Sequence, residues 1–121
     1  MARALGFRSI EDKGRLLENL VYIELRRRGG KIYFHKEQKE CDFLVRKQGK
    51  ICEAYQVCLN LDSSATRERE LQGLLEAMQF HNINSGKILT ESDEEHIKME
   101  MNGFNASITI LPFWKWALDS V

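Results

Sequence analysis

Apolar residues recur at three- and four-residue spacing early in the chain, where Leu16, Leu17, Leu20, Val21 and Leu25 share one arc. That period predicts an amphipathic helix over residues 11–28, and Gly29-Gly30 can take the left-handed conformation that closes one. After the glycines the pattern changes. Lys31-Ile32-Tyr33-Phe34-His35 is rich in β-formers, a polar run from Lys36 to Lys39 interrupts it, and Cys41-Asp42-Phe43-Leu44-Val45 reads as a second strand. Lys47-Gln48-Gly49-Lys50 has glycine at its bend and leads into an apolar-dominated third strand over 51–59, so these two strands form a hairpin. Asp62-Ser63-Ser64 offers capping oxygens to a second helix over 66–80, whose Leu71, Leu74, Leu75 and Met78 lie on one stripe. A turn over 82–86 precedes a short strand at 87–90, and the acidic run from Glu91 to Glu95 reads as a solvated turn. Strands at 97–101 and 107–111 meet around Asn102-Gly103, and a terminal helix carries Pro112 in its first turn. Trp114 and Trp116, two apart on that helix, cannot share a face, so one packs and the other stays open.

Composition narrows the class. With 121 residues, 43% of them apolar and 30% charged, residues 1–121 make a single domain able to bury a core. No apolar run approaches the roughly 20 residues of a membrane span, and Met1-Ala2-Arg3 leads into Gly6-Phe7-Arg8 rather than a signal-peptide core. A cytoplasmic protein is expected, with no membrane partner. Cys41, Cys52 and Cys58 are three and lack a C-x-x-C spacing, which argues against both a disulfide framework and a zinc site. His35, His81 and His96 are scattered and suggest no ligand motif. The formal charge is zero, yet residues 1–50 carry 13 Lys/Arg against 7 Asp/Glu and residues 51–121 the reverse imbalance of 5 against 11. Folding could gather a basic face for a polyanion from the first half. Arg26, Arg27 and Arg28 crowd the first helix's last turn, where its exposed carbonyls account for them better than phosphate contact does.

Three polar residues stand where apolar ones are the rule. Asp42 lies near the start of the second strand, and Gln56 shares a face of the third with Ala54 and Cys58. A carboxylate and an oxygen-bearing side chain on adjacent strands can hold a hard cation such as Mg²⁺ or Mn²⁺, which could activate water against a phosphodiester. Glu18 sits at the rim of the first helix's apolar arc and could reach the same edge, with Glu24 as a rival nearer the middle of that arc. The plainer alternatives stay open beside these. Asp42 can be a strand-end turn residue, Glu18 a surface charge paired with an arginine, and Gln56 a buried amide satisfied by backbone. Cys58 reads as a small core residue.

The runs Gly14-Arg15-Leu16-Leu17-Glu18-Asn19-Leu20-Val21-Tyr22-Ile23-Glu24-Leu25, Glu40-Cys41-Asp42-Phe43-Leu44-Val45 and Glu53-Ala54-Tyr55-Gln56-Val57 resemble the C-terminal domain that follows the motor in a family of prokaryotic P-loop ATPases. Thr66-Arg67-Glu68-Arg69-Glu70 and Leu111-Pro112-Phe113-Trp114-Lys115-Trp116 extend the resemblance over nearly the whole chain. That domain is similar in fold to the PD-(D/E)XK nucleases and Holliday-junction resolvases. The resemblance implies an α/β, restriction-endonuclease-like core of helix, three strands, helix and strand around a mixed β-sheet, followed here by a C-terminal strand and short helix. It implies that Glu18 matches the helix glutamate, Asp42 the motif aspartate, and Gln56 and Cys58 the paired E-x-K. The last two depart from the pattern: Gln56 carries no charge, and Cys58 cannot polarise a phosphate as lysine does. Lys36, Lys39 and Lys50 are candidates for a migrated lysine.

Two functional expectations follow. In the first, the domain has lost catalysis and serves as a nucleic-acid- or protein-binding or regulatory module for a P-loop ATPase, in cis or in trans. In the second it is an Mg²⁺- or Mn²⁺-dependent DNA endonuclease with Glu18, Asp42 and Gln56 at the site, Asp42 and Gln56 holding the ion, and a homodimer pairing two sites as in resolvases. The motor itself is not expected: no G-x-x-x-x-G-K-[ST] occurs, so the chain has no ATP site.

Overall fold

The computed structural model describes residues 10–119. Residues 1–9, on which the reading against a secretory leader rests, lie outside the described residues, as do Ser120 and Val121. The elements run α1 (Ile10–Arg28), β1 (Lys31–Lys36), β2 (Glu40–Lys47), β3 (Lys50–Val57), α2 (Ser64–His81), β4 (Ser85–Thr90), β5 (Glu95–Met101), β6 (Phe104–Pro112) and α3 (Phe113–Leu118). Helix, three strands, helix and strand thus come in the expected order, with a hairpin and a short helix added.

Turn chemistry decides where the strands fold back. Gly29 and Gly30 both have positive φ, and a Cβ on Gly30 would meet Val45 Cγ1 at 3.0 Å and the Arg46 carbonyl at 3.1 Å, so α1 ends where only glycine fits. The β2–β3 and β5–β6 turns each place two positive-φ residues, Gln48-Gly49 and Asn102-Gly103, between paired Lys47↔Lys50 and Met101↔Phe104. This is the two-residue hairpin whose twist matches the flanking strands. Ser63 caps α2 by accepting the Thr66 N–H, and Asn82 closes it in the left-handed conformation.

The six strands form one mixed sheet in the order β1-β2-β3-β4-β6-β5. Its first three strands are antiparallel, β3, β4 and β6 run parallel, and β5 returns antiparallel to β6. Helix α2 covers one face, packing Leu74, Leu75, Ala77 and Met78 on Leu44, Ala54, Ile88, Ile108 and Ile110. Helices α1 and α3 cover the other, where Leu17, Val21, Leu25 and Trp116 meet Val45, Tyr55, Val57, Leu89 and Leu111. Trp116 is buried and Trp114 is exposed, as their spacing requires. Among the described residues no helix is long and apolar enough to cross a membrane.

Several local expectations change. The third strand ends at Val57 rather than 59, although the Cys58 N–H still reaches the Leu89 carbonyl at 3.1 Å. β4 opens at Ser85, two residues early, because Ser85 pairs with Ser107 and lengthens the parallel ladder. Pro112 pairs with Thr90 and forms the N-cap of α3 rather than its first turn. The acidic run is not a free solvated turn: Asp93 accepts the Leu61 N–H at 2.8 Å, Glu95 pairs with Arg67 at 2.6 Å, and Glu94 pairs with Lys115. The arginines of α1 do more than face its carbonyls. Arg27 and Arg28 grip Glu24, while Arg28 also donates to the Trp116 carbonyl at 2.8 Å and stacks over its ring at 4.0 Å, joining α1 to α3.

Candidate functional site

The site begins with an irregularity in β2. His35 pairs with Cys41 and Tyr33 with Leu44, so Asp42 and Phe43 together oppose the single Phe34. That is a β-bulge, which bends a strand and re-aims the side chains it carries. β2 pairs with β3 from Phe43↔Tyr55 onward, and at Asp42 side chains take over the backbone groups. The Asp42 N–H donates to Gln56 Oε1 at 2.8 Å, and the Val57 N–H donates to Asp42 Oδ2 at 2.8 Å.

Gln56 is only 2% exposed, and every polar atom of its amide is used. Besides accepting from Asp42, it donates through Nε2 to the carbonyls of Glu40 at 2.9 Å and Glu70 at 3.1 Å. It therefore ties the start of β2 to the first half of α2. Gly73 makes room for this: a Cβ there would lie 1.9 Å from the Glu40 carbonyl oxygen and 2.7 Å from Gln56 Nε2.

The sequence readings of α1 are now separable. Glu24 is paired with Arg27 and Arg28, and hydrogen bonding to Arg27 holds it down to about 2. Glu18 is exposed but shares a surface depression with Glu40, Asp42 and Phe43. Burial pushes Asp42 up to about 7, against the pull of the Val57 N–H, and the charges of Glu70, Glu18 and Glu40 add to the rise. Cys58 is half-buried, and burial pushes its thiol up to about 12, with Glu70 and Asp42 next in effect. It is a protonated thiol and not a nucleophile.

Glu70, which sequence reasoning passed over, is a further carboxylate of the site. Burial raises it, and the charge of Glu18 adds to that rise against the pull of Arg69. Its Oε2 lies 3.5 Å from Arg69 Nε, while its Oε1 is buried with no hydrogen-bond partner. A signal was present: Glu70 precedes Leu74 by four on α2, a charged residue on the helix's core-facing stripe. Of the candidate lysines, Lys39 lines the same open cleft of about 910 Å³ as Asp42, Gln56 and Glu70. Lys36 lines a different depression, and Lys50 opens β3 at its far end from Gln56.

Tested against a divalent ion, the residues fit in part. Gln56 fits poorly: it is only 2% exposed, its oxygen already accepts the Asp42 N–H, and its nitrogen is fixed on two carbonyls. Among the described residues no three His, Cys, Asp or Glu side chains come together to hold an ion. What remains is the Asp42–Glu70 pair with an oxygen left unsatisfied, which suits a loosely held, largely hydrated cation and nothing tighter.

A protein-family comparison matches residues 13–115 to a family described as Domain of unknown function (DUF4143). A relative from Methanocaldococcus jannaschii, described as uncharacterized protein MJ1544, is 39% identical over 116 residues, covering 89% of this chain and 25% of that protein. The chain thus spans about a quarter of the length of the curated relative it matches.

Proposed function

We propose, from the premise that this chain belongs to the family described as Domain of unknown function (DUF4143), that it is a PD-(D/E)XK-like module that binds and regulates, without cutting, alongside a P-loop ATPase. The observation that carries this reading is Gln56. At the position where the nuclease pattern has a metal-binding glutamate, an amide clasps backbone groups of β2 and α2, and its two donors satisfy carbonyls that a carboxylate would repel. Cys58, at the lysine position, is protonated and holds no charge to offer a phosphate. The element order and the bulge that presents Asp42 support the nuclease-like ancestry of the fold. The three free cysteines support a reducing, cytoplasmic setting. The ATPase partnership, in cis or in trans, rests on the resemblance of the α1, β2 and β3 motifs.

The orphaned Glu70 Oε1 favours a second reading, in which Glu70 replaces the missing glutamate and Lys39 the missing lysine. Mg²⁺ or Mn²⁺ would then supply Lewis-acid and water-activating chemistry for DNA hydrolysis, with Asp42 and Glu70 binding it and Glu18 adding charge nearby.

One experiment separates the two. Single-stranded, duplex and branched DNA are incubated with the protein and Mn²⁺ or Mg²⁺, beside Asp42→Ala and Gln56→Glu, and each protein's urea unfolding is followed with and without the metal. The binding-module reading expects no cleavage and expects Gln56→Glu to lose about 3–5 kcal/mol of stability from a charge buried against carbonyls. Cleavage that disappears in Asp42→Ala overturns it in favour of the nuclease.

A further inference from the structure

The end of α2 remote from the cleft carries a different chemistry. Phe80 lies ten residues beyond Glu70, roughly 15 Å along the helix axis at 1.5 Å per residue. Phe80 is 63% exposed, yet its ring is held in place. His35 packs on it edge-on with centroids 5.5 Å apart, and the His81 ring lies tilted 5.0 Å away. His35 is itself only 4% exposed, and its Nε2 lies 3.0 Å from Glu76 Oε1, the same oxygen that accepts the Lys39 N–H. Burial, with the neighbouring His35 next in effect, lowers His81. Tyr33, two residues before His35 on β1, joins Phe80 and His81 around a shallow depression of about 470 Å³ floored by Leu44 and Ile51.

Cations surround these rings. Lys36 and Arg46 line the same depression, and a second of about 480 Å³ continues past Arg46 with Lys31 and Lys47 along the β2–β3 turn. Lys47 pairs with Glu53 at 3.3 Å. Lys31, Lys36, Arg46 and Lys50 have no carboxylate within 4.0 Å among the described residues, whereas Arg15, Arg27, Arg28, Arg67, Arg69 and Lys115 all do. Glu37 is the acidic side chain on the rim. Three of the cations without a carboxylate partner, Lys31, Lys36 and Arg46, thereby line adjoining depressions at the β1–β2 edge.

An exposed ring held by two histidines, with Tyr33 beside it and unpaired cations around it, meets two needs of one ligand. Phosphates seek the cations, and unstacked bases seek flat π faces. A duplex keeps its base faces covered, and an acidic peptide would use the cations without the rings. We propose that the edge formed by β1, the β2–β3 turn and the end of α2 docks single-stranded nucleic acid, with Phe80 and Tyr33 stacking on bases and Lys36 and Arg46 on the backbone. Tyr33 also borders the depression of Glu18 and Asp42, but Phe80, Lys36 and Arg46 do not, so the proposal stands apart from how the cleft is read.

The test is fluorescence anisotropy of the whole chain with a labelled oligothymidylate of roughly 16 nucleotides, begun at low salt and followed through a salt series. Wild type binds, and affinity falls as salt rises. Phe80→Ala weakens binding about tenfold or more, while Phe80→Tyr, which keeps the π face, retains it. Arg46→Glu weakens binding and flattens the salt dependence, and Lys98→Glu, the same charge reversal on exposed β5 at the opposite end of the sheet, leaves affinity unchanged. Circular dichroism checks that each variant is folded, which the exposure of Phe80 and Arg46 favours; Phe80→Leu, apolar but without the ring, is the second variant. No binding at low salt overturns the proposal. So does affinity indifferent to both Phe80→Ala and Arg46→Glu, equal binding of duplex, displacement by polyglutamate at matched charge, or a dimer in sedimentation that Phe80→Ala dissolves.

Discussion

Asp42 is a carboxyl group that the fold half-buries while giving its Oδ2 a backbone N–H and surrounding it with other carboxylates. Its folded value of about 7 stands above its ordinary 3.8, so the folded chain binds this proton more tightly than the unfolded chain does. The sign follows: the contribution to stability is complete below about pH 4 and is lost as pH rises through 7. Asp42→Asn keeps an oxygen for the Val57 N–H and cannot ionise. Between pH 5 and pH 8 the variant is therefore expected to gain about 2–4 kcal/mol relative to wild type, read from urea midpoints at the two values. A difference that does not change with pH would mean that Asp42 ionises normally. Glu70 is raised in the same direction by burial, so some pH dependence should survive in the variant.

At the scale of elements, the Gln56 clasp and the bare Gly73 are two halves of one contact. α2 approaches the start of β2 closely enough that a methyl group at Gly73 would overlap the Glu40 carbonyl. Gly73→Ala should push α2 outward, loosen both Nε2 hydrogen bonds and cost about 3 kcal/mol, even though alanine is the better helix former. Hydrogen exchange would show the damage localised at Asp42 and Val57. A stabilising Gly73→Ala would mean that the helix and strand are not in close contact. Gly73 was legible only as a weak helix residue, because the atom that forbids a side chain there belongs to a strand 33 residues earlier.

For the whole molecule, both cores share the same strands: β3 sends Ala54 to the α2 face and Tyr55 and Val57 to the α1 face, and β4 divides Ile88 from Leu89 in the same way. Neither layer can be removed without exposing the sheet. A single unfolding transition is expected, with far-ultraviolet circular dichroism and tryptophan fluorescence coincident in urea. Trp116 reports on the α1–α3 layer, so an earlier fluorescence transition would mean that this layer comes away by itself.

What the amino-acid sequence determined alone is what depends on near neighbours. Three- and four-residue spacing placed α1 and α2, the glycine and asparagine turns placed both hairpins, and a two-residue offset parted Trp114 from Trp116. The pairing of Asp42 with Gln56 was also within reach, since a hairpin sets adjacent strands in register. The tertiary structure decided what depends on distant residues meeting. It chose Glu18 over Glu24 because Arg27 and Arg28 hold the latter, and it added Glu70 to the cleft. It stacked two histidines that the sequence separates by 46 positions around Phe80, and it set Lys36 and Arg46 beside them. Periodicity reports which way a side chain faces along its own element; burial, charge and hydrogen-bond satisfaction depend on what the rest of the chain brings opposite it.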